Sequence, residues 1–239
     1  VSNKIRAKVV KGDQVRFISH LDLMTTINRA LRRAKIAIAF SQGYNPKPNV
    51  SFASALAVGL TSDSEYIDFE LEKDIDIREF QESLNNALPE GIKIIRVAKI
   101  DGREKSLTSQ INRANYLARL ELNKVLSIDD LREKIIEFLS QDKIMIRRKR
   151  RRKKDRVFDI KPLIYNLEVV GVQDDLATIN MLVQTGSSGN LRPEEVINAL
   201  ADYFNVIAPA KLINIHRSGL YIKVGEEILT PIEAVVKGN

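Results

Sequence analysis

Along residues 4–10, apolar and polar side chains alternate as they do in a half-buried strand, and residues 15–18 extend it beyond a Gly12-Asp13 turn. The period then lengthens. Ser19 stands at an N-cap position, with Asp22 three residues on as a weaker form of the capping box. Leu21, Met24, Ile27, Leu31 and Ala34 follow at helical spacing. Residues 36–40 read as a short strand and residues 50–56 as an extended piece. Tyr66, Asp68 and Glu70 alternate with Ile67, Phe69 and Leu71, which predicts a strand. Asp76 caps a helix over residues 77–88 that stops at Pro89-Glu90-Gly91, and residues 92–100 form a strand.

The resulting order is strand, helix, strand, strand, helix, strand. It predicts a ferredoxin-like unit, a four-stranded antiparallel sheet with two helices on one face. The second half repeats it. Residues 116–122 form a strand, and Ser127 or Asp129 caps a helix running to residue 141. Residues 163–170 and 177–184 are strands on either side of a Gln173-Asp174-Asp175 turn. Pro193 opens a helix over residues 194–204, and residues 211–218 and 220–224 are extended. Two further strands, 143–148 and 157–160, exceed what the pattern needs. The expected fold class is therefore α+β: duplicated ferredoxin-like (βαββαβ) domains with antiparallel sheets. The N-terminal domain is expected at residues 1–105. The C-terminal one is expected at 106–239, with a basic hairpin at 143–161. A single intertwined α+β domain is the alternative.

Charge changes the picture more than composition does. The chain has 239 residues, 44% of them hydrophobic, and a mean hydropathy of −0.18. No window approaches 18 uninterrupted apolar residues, so no membrane-spanning segment is expected. The first ten residues read as a strand rather than a signal peptide, and a cytoplasmic location is expected. Net charge is +7, but residues 143–161 alone carry +9, which leaves the remainder at −2. One strongly basic segment interrupts a mildly acidic chain, the pattern of a docking strip for polyanion.

Cysteine is absent. That excludes disulfides, zinc ribbons, thiolate nucleophiles and any iron–sulfur cluster held by this chain's own thiolates. With only His20 and His216 as imidazole donors, neither a metal site nor a cofactor is expected.

Four constellations could carry chemistry. Arg29, Arg32 and Arg33 lie three and four apart on one helix and form a cationic edge, suited to phosphate or carboxylate or simply to a solvated face. Pro46 and Pro48 stiffen a loop that would project Tyr44, Asn45 and Lys47 in fixed directions, for stacking and polar readout of a base or merely as a hairpin connection. Ser187, Ser188, Gly189 and Asn190 precede a helix opening at Arg192-Pro193, where backbone N–H groups suit an anion or ordinary capping. Arg147, Arg148, Lys149, Arg150, Arg151, Arg152, Lys153 and Lys154 are eight consecutive cations, at a solvated hairpin tip or on an RNA backbone. His20 and Asp22 are the weak candidates for an acid or base.

The run Arg16-Phe17-Ile18-Ser19-His20-Leu21-Asp22-Leu23, the pair Arg32-Arg33, and the stretches Gly43-Tyr44-Asn45-Pro46-Lys47-Pro48 and Gly186-Ser187-Ser188-Gly189-Asn190-Leu191-Arg192-Pro193 resemble the DUF2344 family over nearly the whole chain. These are radical-SAM-associated proteins, fused behind a radical SAM domain or separate. The family commonly has His where this chain has Lys47. The resemblance implies a radical SAM enzyme as partner and a place in RNA or ribosome-linked metabolism. The expected function is a non-catalytic RNA-binding or substrate-presenting partner, Arg16 and the other cations named above holding the RNA. An RNA-processing or RNA-modifying enzyme, and a protein-only assembly subunit, are the alternatives.

Overall fold

The computed structural model describes residues 3–100, 105–149, 154–204 and 207–238, without the side chains of 207–213 and 238. The protein is α+β with antiparallel sheets. It divides into two compact units, residues 1–112 with 217–239, and residues 113–216. The division differs from the expected halves in the C-terminal segment, which belongs with the first unit. Among the described residues no helix is long and apolar enough to cross a membrane.

In the first unit β1 (Lys4–Lys11) pairs antiparallel with β3 (Thr61–Glu70) on one side and β4 (Ile92–Ile100) on the other. The short β2 (Val50–Phe52) pairs with β3 through Val50–Phe69 and Phe52–Ile67. β3 also neighbours β10 (Ile207–Val224), whose residues 217–224 fall in this unit. β11 (Glu227–Leu229) folds back on β10. Ile5, Ala7 and Val9 of β1 and Ile67 and Phe69 of β3 point to one face. There α1 (His20–Arg33) buries Leu23, Ile27, Ala30 and Leu31, and α2 (Ile77–Ala87) buries Phe80 and Leu84. Arg6 alternates with Ile5 and Ala7 and so points to the opposite face. It donates to the carbonyl of Pro231, the first residue of α6 (Pro231–Gly238), at 3.0 Å and pairs with Asp68 at 2.8 Å. The short α3 (Leu107–Gln110) buries Leu107 near β2.

In the second unit β9 (Leu176–Gln184) pairs antiparallel with β5 (Arg113–Leu122) and β8 (Ile164–Gln173), in the order β10-β5-β9-β8. The alternate residues Ala114, Tyr116, Ala118 and Leu120 and Ala177, Ile179, Met181 and Val183 are buried. α4 (Ile128–Ser140) buries Leu131, Ile135 and Phe138, and α5 (Pro193–Phe204) buries Val196, Ile197 and Leu200. Between α4 and β8 stands a separate two-stranded hairpin, β6 (Met145–Arg148) with β7 (Arg156–Asp159).

Four expected strand pieces are corrected. Residues 15–18 do not extend β1: a 3-10 turn, Asp13–Val15, curls the chain back, and the Lys11 ammonium takes the carbonyl of Arg16 at 2.9 Å. Gly91 packs against this turn with φ +88°, where an added Cβ would meet Cβ of Gln14 at 3.0 Å. Residues 36–40 make only the isolated bridges Ile38–Leu71 and Phe40–Pro48. The extended pieces 211–218 and 220–224 form one strand, β10.

Candidate nucleic-acid interface

The basic hairpin has a fixed base. Ile144 and Ile160 are buried, and the Ile160 N–H donates to the carbonyl of Ile144 at 2.8 Å. The Asp159 carboxylate accepts from the N–H groups of Lys161 and Ile144, both at 2.9 Å, and these bonds hold its pKa below the usual carboxylate range. The Lys161 ammonium closes on the carbonyl of Gln141 at 2.6 Å.

Alternation along β6 then sorts the cations. Arg148 points inward. Its Nε and Nη2 donate to the two oxygens of Glu195 at 2.6 Å each, and Nη2 also reaches the carbonyl of Asn190 at 2.8 Å. The Glu195 carboxylate holds the guanidinium above its ordinary pKa. Arg147, Lys149 and Lys154 are exposed, and among the described residues none has an ion pair. Arg150, Arg151, Arg152 and Lys153 lie outside the described residues. Two guanidinium groups lie over the Phe158 ring, Arg148 at 4.9 Å and Arg156 at 5.0 Å from its centroid.

The Gly/Ser loop is turned on itself. The Ser188 hydroxyl accepts from Gln184 at 2.7 Å, the Asn190 side chain accepts from Thr185 at 3.0 Å, and the Gly189 N–H reaches the carbonyl of Gly186 at 3.4 Å. The Arg192 N–H donates to Glu195 at 3.0 Å. Ser187 and the Arg192 side chain are exposed. The structure thus brings Arg148 directly onto the Asn190 carbonyl and onto Glu195, the anchoring residue that sequence reasoning missed. Its one signal was a carboxylate in the first turn of a helix, three residues after Arg192, in a chain with an eight-cation run.

The remaining candidates belong to the first unit. Arg29, Arg32 and Arg33 are exposed on α1, and Arg33 donates to the carbonyl of Ala87, the last residue of α2, at 2.6 Å. Arg16 lies 3.7 Å from Asp13 and 4.6 Å from the Phe17 ring centroid, and its buried Nε has no hydrogen-bond partner. Ser41 and Lys47 close the proline loop through a 2.8 Å backbone bond, which leaves Tyr44 fully exposed beside exposed Asn45 and Lys47. Asp22 completes a capping box with Ser19, whose hydroxyl and N–H keep the carboxyl below its usual pKa. His20 meets Phe52 edge-on at 5.1 Å, and burial lowers its pKa.

Near His20 is a polar core that the sequence pattern gave no reason to expect. Arg217 and Glu65, 1% and 3% exposed, form a two-pronged ion pair, with Nε to Oε1 at 2.7 Å. Lys11, 2% exposed, donates to the carbonyls of Arg16 and Leu60, and burial pushes its pKa down. No group of three or more His, Asp or Glu placed to hold a metal occurs among the described residues.

The model of the family described as "Uncharacterized protein conserved in bacteria (DUF2344)" matches residues 4–193. The chain belongs to the DUF2344 family. The DUF2344 match takes in α1, the proline loop, the basic hairpin and the Gly/Ser loop. Comparison with curated proteins finds no match. In fold this DUF2344 chain is similar to one in the crystal structure of a Cbf5-Nop10-Gar1 complex, with a TM-score of 0.51 at 11% identity over 89% of this chain and 48% of that one. A chain of the archaeal box H/ACA sRNP Nop10-Cbf5 complex gives 0.48 at 9% identity, over 91% of this chain and 47% of that one. A chain of an H/ACA RNP bound to a substrate RNA containing 2′-deoxyuridine gives 0.46 at 12%, over 88% and 46%. The chain spans about half the length of the solved chains it matches.

Proposed function

We propose that this chain is a non-catalytic RNA-binding protein that presents RNA to a radical SAM enzyme, with the basic hairpin as its grip. One observation carries the reading: Arg148 is consumed by Glu195 to anchor the hairpin, while Arg147, Lys149 and Lys154 stay exposed, with no ion pair among the described residues. An anchored row of exposed cations suits phosphate contacts, and a bound polyanion offsets the repulsion between its charges. Arg29, Arg32 and the Tyr44 loop are further RNA contacts in this reading. The radical SAM partner is taken from the family resemblance, and a chain without cysteine leaves the cluster to that partner. Within the first unit β4, β1 and β3 lie in that order with β2 also paired to β3, and β10-β5-β9-β8 follows the same pattern, each with two helices; this supports the reading of two ferredoxin-like copies in the sequence.

The test is fluorescence anisotropy with labelled RNA. Replacing Arg147, Lys149, Arg150, Arg151, Arg152, Lys153 and Lys154 by Ser or Gly, with Arg148 kept, weakens binding and leaves the fold intact. The slope of log K against log salt flattens by about 0.7 for each single-strand phosphate that the variant no longer neutralises. Unchanged affinity at physiological salt removes the hairpin from the function. The enzyme alternative has one observation in its favour, the half-buried His20 with its lowered pKa. Turnover of RNA by the purified chain, lost in His20→Ala, would overturn the non-catalytic reading.

A further inference from the structure

Between the hairpin and α5 lies a cleft of about 610 Å³. Its floor is apolar: Phe138, Ile144 and Ala199 are buried. Its rim carries Lys143 and Arg147, both exposed and neither in an ion pair among the described residues. Tyr203 stands at the edge, 42% exposed. Its ring is held in place by Phe138 edge-on at 5.8 Å and Phe204 at 4.5 Å, and the Gln141 amide donates to its hydroxyl. Asn198 and Asp202 add exposed polar groups of both kinds, donor and acceptor. The other carboxylate of the lining, Glu195, is already occupied by Arg148.

A fixed, half-exposed aromatic ring beside an apolar floor suits a flat ring with polar edges. Cations on the rim suit a phosphate attached to it. The cleft falls within the ~300–1,000 Å³ of small-ligand sites. We propose that it takes one unpaired nucleotide of the RNA, with the base against Tyr203 and the phosphate on the cationic rim. The inference rests on the RNA-binding reading above and adds to it that the interface selects single strands, because paired bases are covered by their neighbours and have no free face.

The experiment compares three RNAs of one sequence: a short single strand, the same strand with abasic residues, and its duplex. The intact single strand binds about tenfold more tightly than the abasic strand, the worth of one stacked base. Tyr203→Leu abolishes that preference, and Tyr203→Phe retains it. The salt slope is the same in both variants, since their phosphate contacts remain. Tyr203→Leu is compared at matched thermal stability, and Asn198→Ala, which leaves the aromatic packing intact, gives a smaller loss on the intact strand alone. Equal binding of intact and abasic strands, or a preference that survives Tyr203→Leu, overturns the inference and leaves the hairpin reading standing. Absence of binding to all three RNAs overturns both.

Discussion

Arg147 and Arg148 are neighbours in sequence and point to opposite sides of β6, so one meets solvent and the other a carboxylate. Arg32 and Arg33 are also neighbours, but both are exposed, and Arg33 reaches the last carbonyl of α2 from the surface. Arg217 is the extreme case. Its charge is nine-tenths or more buried and is balanced by Glu65, with Ser54 as a weak additional acceptor. Such a pair adds little over well-packed apolar residues, but removing one partner strands the other in a low dielectric. Arg217→Ala is therefore expected to lower the unfolding free energy by about 3–5 kcal/mol. The double variant Glu65→Met with Arg217→Leu should be more stable than either single change. Urea denaturation measures both, and a double variant as unstable as Arg217→Ala would show that the pair does more than balance charge.

At the scale of elements, the two longest helices of the described chain open on the same device. Ser19 with Asp22 begins α1, and Ser127 with Asp130 begins α4, each exchanging two hydrogen bonds between side chain and backbone. Ser127→Ala removes one of these and is expected to cost about 1 kcal/mol, read as a lower midpoint in thermal unfolding. A midpoint unchanged from wild type would mean that Asp130 or water replaces the hydroxyl. These caps were legible in sequence because they depend on residues three apart, and so were α1, α2, α4 and α5, the β6–β7 hairpin and the basic tract. What the sequence hid was non-local. The Gly12-Asp13 turn was expected, but not that it curls on through residue 16 with the Lys11 ammonium on the Arg16 carbonyl, and β10 runs unbroken through Gly219. α6 was missed although Thr230 and Glu233, three apart, exchange the same reciprocal bonds that open α1 and α4; its eight residues are too short to display a helical period. Glu195 was invisible as an anchor because nothing in the spacing links it to Arg148, 47 residues away.

At the scale of the whole molecule, the chain leaves the first unit at residue 112, builds the second, and returns at residue 217. The returning segment is structural for the unit it rejoins. It supplies Arg217 to the buried Glu65, a neighbour to β3, and the Pro231 carbonyl to the buried Arg6. A chain ending at residue 216 would keep every helix and strand predicted for the first half and still lack a strand beside β3 and the partners of two buried charged groups, Glu65 and Arg6. Each such group left unmatched costs on the order of 1–3 kcal/mol, and more for a charge. Domain stabilities are about 5–15 kcal/mol, so the loss takes most of the first unit's margin. Fragment 1–216 is therefore expected to lose amide hydrogen-exchange protection in β1 and β3, with a smaller change in β8 and β9, whose partner strands all lie before residue 217. If the hairpin is the grip on RNA, this fragment should retain salt-dependent RNA binding while its first unit opens. Full protection of β1 and β3 in the fragment would show that the unit is complete without its C-terminal segment, and that the Arg217–Glu65 pair is dispensable to it.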